Sequence, residues 1–122
     1  MTGPTLLYID DTPADVELLR LLLEPHGIML VSAPTGTRGI AMYDPHQHHA
    51  VMIDWNLPDM NGLSVAQALR ARYPDCRIAF LSALFEEEHI EAARVMGISD
   101  CFEKSTGTER TRAFVYKSMA TL

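Results

Sequence analysis

Ala50-Val51-Met52-Ile53-Asp54-Trp55-Asn56-Leu57-Pro58-Asp59-Met60-Asn61-Gly62 decides how this chain folds. Residues 50–53 are an uninterrupted apolar run, the pattern of a strand buried on both faces. Asp54 follows directly, so a carboxylate sits where that strand leaves the core. Pro58, Asp59, Asn61 and Gly62 then supply turn chemistry before a helical pattern begins. Open parallel α/β sheets bind ligands beyond the C-terminal ends of their strands. Asp54 is therefore a candidate site residue, while Asp59 and Asn61 read as turn residues.

Working outward, the same unit recurs on both sides. Thr5–Ile9 reads as a first buried strand, with Asp10 and Asp11 at its end. Thr12-Pro13-Ala14-Asp15 is a helix start: Thr12 caps, Pro13 suits the first helical position, and Asp15 closes a capping-box-like exchange. That helix runs to about Glu24, with Val16, Leu19, Leu22 and Leu23 as its apolar stripe, and Pro25 and Gly27 stop it. Residues 28–31 make a second strand, and 34–43 a helix weakened by Gly36 and Gly39. Beyond 44–49, a polar loop, come the strand 50–53, a helix 63–73, a strand 77–81 and a helix 85–96. A short strand 98–103 and a helix 108–119 complete five strand–helix units. Within the helix 63–73, Leu63, Ala66 and Leu69 or Arg70 fall at helical spacing. In the last helix Val115, Met119 and Leu122 carry the apolar pattern, and Arg110, Arg112 and Lys117 make it basic.

The alternation implies an α/β fold: a doubly wound five-stranded parallel sheet with helices on both faces and right-handed crossovers. The strand order 2-1-3-4-5 suits five strands and places the ligand crevice between the ends of strands one and three.

Composition fits one globular domain, 1–122, with 48% hydrophobic residues. A formal net charge of −6 argues against nonspecific binding to nucleic acid. No apolar run is long enough to span a bilayer, and Met1-Thr2-Gly3-Pro4 lacks a signal-peptide start, so a cytoplasmic location is expected. Cys76 and Cys101 read as reduced thiols at or near the core. His46, His48 and His49 lack metal-ligand spacing and read as a solvated loop. Glu86, Glu87 and Glu88 read as an exposed first helical turn.

In that topology Asp10, Asp11 and Asp54 converge. Like charges so close favour a bound divalent cation, and oxygen ligands suit Mg²⁺. Ser82 and Lys104, at the ends of strands four and five, face the same crevice. Three acids, a hydroxyl and a lysine can handle a phosphoryl group, with Asp54 as the central nucleophile.

These residues together resemble the receiver domain of two-component response regulators, a flavodoxin/CheY-like three-layer sandwich. The resemblance covers essentially the whole chain. It rests on Asp10-Asp11, on Asp54 with Pro58 and Gly62, on Ser82-Ala83 and on Lys104. It implies that Asp54 accepts phosphate from a phosphohistidine on a histidine kinase or histidine phosphotransfer protein. It implies that Asp11 ligates Mg²⁺ (or Mn²⁺) with Asp54 and the backbone carbonyl of Asn56, and that Asp10 helps indirectly. Ser82 then bonds a phosphate oxygen, Ala83 leaves room, and Lys104 pairs with the phosphate. A change around the fourth helix and fifth strand signals to a downstream protein or output domain. The acidic turn at 86–88 beside the basic last helix marks a surface for a phosphorylation-dependent homodimer.

Three positions depart from the family pattern: Cys101, Ser105 and Trp55, which directly follows Asp54. Cys101 occupies the position, three before the lysine, where the family usually has an aromatic switch residue. Phe102 faces the other side of its strand and is not a ready substitute. Ser105 stands where proline usually follows the lysine, which leaves that bond either trans or a cis bond held by strong contacts. Trp55, the single tryptophan, should report on the site. Two other readings compete: a pseudo-receiver interaction module that does not use phosphate, and a hydrolase with an Asp nucleophile. The second lacks an acid at Asn56, the obvious place for a general acid.

Overall fold

The computed structural model describes residues 3–104 and 107–119. Strands and helices alternate: β1 (Thr5–Ile9), α1 (Pro13–Leu23), β2 (Met29–Ala33), α2 (Gly36–Met42), β3 (Ala50–Asp54), α3 (Gly62–Arg72), β4 (Ile78–Ser82), α4 (Glu87–Val95), β5 (Cys101–Glu103) and α5 (Gly107–Met119). The sheet has the order β2-β1-β3-β4-β5, with every pair parallel. This is the doubly wound order expected from the sequence.

Every residue of β3 and β4 is buried, which is why their sequences run apolar without alternation. Their side chains still point alternately to two cores. Leu6, Tyr8, Met52, Leu81 and Phe102 meet Val16 and Leu19 of α1 and Phe114 and Val115 of α5. Leu7, Ile9, Val51, Ile53 and Phe80 meet Val65, Ala66 and Leu69 of α3 and Ala93 of α4. Each fully buried Leu or Phe contributes roughly 1.5–3 kcal/mol, and truncating Phe80 to alanine would cost about 3–5 kcal/mol.

Several boundaries differ from the sequence reading, each for a local reason. Strands β3 and β4 each run one residue further, because Asp54 pairs with Leu81 and Ser82 with Glu103. Both chemical residues are thus held inside the sheet rather than just beyond it. Strand β2 is shifted toward Ala33, which pairs with Ile9. Strand β5 starts late because Ile98 N–H first returns to Ala93 O, after Gly97 with φ 79. Helix α4 starts after Phe85, whose ring packs against Trp55, and Glu86 to Glu88 are exposed as expected. In α1, Val16, Leu19 and Leu23 complete the buried stripe, and Leu22 lies 40% exposed outside it. The expected cap from the Thr12 side chain is absent; Asp10 Oδ1 accepts the Thr12 N–H at 2.9 Å.

The loop after β3 is tied down more firmly than turn chemistry alone suggests. Asn61 caps α3 by accepting the Ser64 N–H at 2.8 Å. Asp59 reaches across to α2, where it accepts from the Thr37 hydroxyl at 2.6 Å and from the N–H groups of Gly36 and Thr37 at 2.9 Å. These bonds, the Thr37 hydroxyl first, hold its carboxyl down at about 2. Gly62 passes so close to the strand end that a Cβ there would stand 2.7 Å from Asp54 O, which explains the glycine.

Two of the three loop histidines are drawn in rather than fully solvated, His48 buried and His49 half-buried. His48 is buried, and its Nδ1 accepts the Asp44 N–H at 3.0 Å. His49 Nδ1 accepts the Thr5 N–H at 3.0 Å. Only His46 of the three is exposed. Cys76 and Cys101 are both free thiols, the first buried and the second half-buried. Among the described residues no helix is long and apolar enough to cross a membrane. The Lys104–Ser105 bond and the side chains of Met119 and Leu122 lie outside the described residues.

Candidate functional site

Alternation sorts the residues at the C-terminal edge of the sheet. Tyr8, Asp10, Asp54 and Lys104 face α1 and α5, whereas Trp55, Ser82 and Cys101 face α3 and α4. On the first side a bonded cluster forms around Lys104. Its Nζ donates to Asp15 Oδ2 at 2.7 Å, to Asp10 Oδ2 at 3.0 Å and to Asp54 Oδ2 at 3.4 Å. The buried Tyr8 hydroxyl donates to the same Asp10 oxygen. Asp54 Oδ1 accepts the Asn56 N–H at 3.3 Å.

Asp10, Asp11 and Asp54 each offer a carboxylate oxygen within 4.8 Å of the others. Asp10 and Asp54 are buried and Asp11 is exposed, so the cluster is rooted in the sheet and open on one side. Burial first, and then the charge of Asp10, push the Asp54 carboxyl up to about 6, while Lys104 and the Asn56 N–H pull it back. Burial works against the charge on Lys104, but its bonds to Asp15 and Asp10 outweigh it and hold the ammonium above its usual range. Burial and then the bond to Asp10 hold the Tyr8 phenol protonated. Such a cluster has more negative charge than one lysine can offset. The oxygen donors fit a hard divalent cation, which would relieve the remaining repulsion.

The second side is built differently. Ser82 is buried, and its Oγ donates to Leu84 O at 3.2 Å rather than to any site carboxylate. Ala83 is exposed. Asn56 is exposed and forms an isolated bridge with Asn61 across the turn. The Trp55 ring is buried, with ring centroids 4.9 Å from Phe80, 6.0 Å from Phe85 and 4.9 Å from His89. Cys101 packs into this layer, and burial, then Asp100, push its thiol up to about 11. It is a packing residue, with too little thiolate for nucleophilic chemistry near neutral pH. Phe102 faces the other way, 6.2 Å from Phe114.

The structure thus gathers Asp10, Asp11, Asp54 and Lys104 and leaves Ser82 at the margin. It also adds two residues to the cluster. Tyr8 was legible in principle, because residues two apart in a strand share a face with Asp10. Asp15 reads locally as a helix-cap acid, yet it makes the shortest of the Lys104 contacts.

The model of the response regulator receiver domain family matches residues 6–116. The photosynthetic apparatus regulatory protein RegA of Cereibacter sphaeroides is 32% identical over 114 residues, spanning 93% of this chain and 62% of that protein. The aerobic respiration control sensor protein ArcB of Escherichia coli is 29% identical over 118 residues, 92% of this chain and 15% of that protein. The chain therefore spans less than two thirds of these relatives. Among solved structures, the response regulator protein TrrA of Thermotoga maritima, in complex with Mg(2+)-BeF, superposes with a TM-score of 0.82 at 23% identity, covering 95% of this chain and 99% of that one. With the matched region running from β1 into α5, the chain belongs to the response regulator receiver domain family.

Proposed function

We propose that residues 1–122 act as a single receiver unit, in which Asp54 accepts a phosphoryl group from a phosphohistidine of a sensor kinase or phosphotransfer protein. The observation that carries this is a buried carboxylate at a strand end, flanked by two more acids and bonded to a lysine. Its raised pKa also leaves it more basic than an ordinary aspartate. An Asp54 oxygen attacks phosphorus, the P–N bond breaks, and its electron pair stays on the imidazole nitrogen, which takes a proton from solvent. Lys104 releases one of its carboxylates and pairs with the transferred group. Ser82 leaves Leu84 O and donates to a phosphoryl oxygen. Hydrolysis reverses the state: water attacks phosphorus, the P–O bond to Asp54 breaks, and inorganic phosphate leaves. No turnover of an external substrate is implied.

Asp11, Asp54 and the Asn56 carbonyl would hold Mg²⁺ (or Mn²⁺), with Asp10 supporting indirectly. When bound, the ion supplies charge neutralisation at the phosphoryl oxygens. The Mg(2+)-BeF complex of the Thermotoga maritima relative supports this reading, as do relatives described as sensor proteins. The Ser82–Leu84 bond then links the state of Asp54 to the loop before α4 and to the α4–β5 surface read by a partner or a second copy of this chain.

The test is intact mass after incubation with Mg²⁺ and acetyl phosphate. The parent gains one phosphoryl group and Asp54→Asn gains none. No gain in the parent favours an interaction module that does not use phosphate. Phosphate release from varied esters favours a hydrolase.

A further inference from the structure

A cavity of about 750 Å³ lies at the opposite end of the sheet. His48 and His49 lead into β3 there, Arg77 leads into β4, and Arg70 and Arg72 close α3. The rise of a strand the length of β3 puts it roughly 16 Å from Asp54.

Its charge runs against that of the chain. The protein carries a formal −6, yet three arginines and two histidines line this cavity against one acid, Asp75. Arg20, Arg94 and Arg112 each pair with a glutamate. Among the described residues, no carboxylate lies within 4.0 Å of the guanidinium of Arg70, Arg72 or Arg77. Gathering three arginines with no carboxylate in ion-pair contact among the described residues favours the arrival of an anion.

The donors are also held in place. Arg70 Nε donates to Cys76 O at 2.8 Å and its Nη1 to Met96 O at 3.3 Å, which fixes the guanidinium. The Arg72 guanidinium carbon sits 5.5 Å from the centre of the Tyr73 ring. In both histidines Nδ1 accepts a backbone N–H, so Nε2 carries the proton and is the free donor. Tyr43 and Tyr73 pack edge to face, with centroids 5.0 Å apart, and give the cavity an aromatic wall. Arginine forks and N–H donors suit phosphate oxygens, and the volume falls in the range of small-molecule sites, far beyond one inorganic ion.

We propose that this cavity binds a small organic phosphate of mononucleotide size, its phosphate on the arginines and histidines and its organic part against Tyr43 and Tyr73. The site is separate from Asp54 and does not depend on phosphorylation there.

Calorimetric titration in metal-free buffer tests this, with ADP, inorganic pyrophosphate and citrate as probes. ADP should bind with a dissociation constant below about 1 mM and more tightly than either other probe. The double variant Arg72→Gln/Arg77→Gln, which removes one exposed and one half-buried guanidinium, should lose about tenfold or more in affinity while melting within a few degrees of the parent. Asp54→Asn should bind as the parent does. Absence of ADP binding, unchanged affinity in the double variant, or loss of binding in Asp54→Asn overturns the proposal. Equal binding of all three probes overturns the organic-phosphate assignment.

Discussion

Toward α1 and α5, Asp54 faces a cluster whose members are bonded to one another; toward α3 and α4 it borders packed rings and one serine bonded to a backbone carbonyl. The first side is electrostatic, its acids already gathered around Lys104. The second is a packing layer in which Ser82 must change partner to take part. Under the proposed function, the difference teaches that binding charge and transmitting its arrival are assigned to different faces of one sheet. It also explains how Cys101 fits. The aromatic volume on the transmitting side is supplied by Trp55, Phe80 and Phe85, and a small thiol fills the space beside them.

The strongest way to break this comparison is Lys104→Ala. Removing a preorganised donor beside developing charge should slow phosphorylation of Asp54 by acetyl phosphate about a hundredfold, read as a mass time course. A change under threefold would show that the bonded side is not the chemical one.

A smaller effect concerns stability. Because the folded-state pKa of Asp54 is raised to about 6 from 3.8, the folded protein holds its proton longer than the unfolded chain does. Stability therefore falls as pH rises between those values and stays reduced above them. In metal-free buffer Asp54→Asn should be more stable than the parent by roughly 3 kcal/mol at pH 7.5, and no more stable at pH 3.5. Urea unfolding at the two pH values checks this, and adding Mg²⁺ should narrow the gap at pH 7.5.

The smallest signal belongs to the transmitting side. Trp55 emission should respond to Mg²⁺ alone and change further with beryllofluoride. Ser82→Ala should keep the first response and lose most of the second. Loss of both would merge the two sides into one.

Much of this was open to sequence reading, because strands β1, β3 and β4 are continuous apolar runs and their terminal acids are local features. The crevice followed from strand order. What escaped reading depends on distance along the chain or on shared demands. Asp15 satisfies the local pattern of a helix start, so nothing nearby reveals its bond to Lys104. His48 and His49 sit in a polar stretch, yet unpaired backbone N–H groups of Asp44 and Thr5 draw their rings inward. The Asp59 tie joins the loop after β3 to the first turn of α2, two segments that share no sequence signal.

The Lys104 cluster has a consequence for how the protein comes into being. Its bonds to Asp10 and Asp15 join residues 94 and 89 positions apart. Closing so large a loop comes late relative to local helix formation. A nascent chain with β1 to β4 already paired would carry all its acids but no neutralising lysine. The complete charge cluster thus forms only when β5 docks.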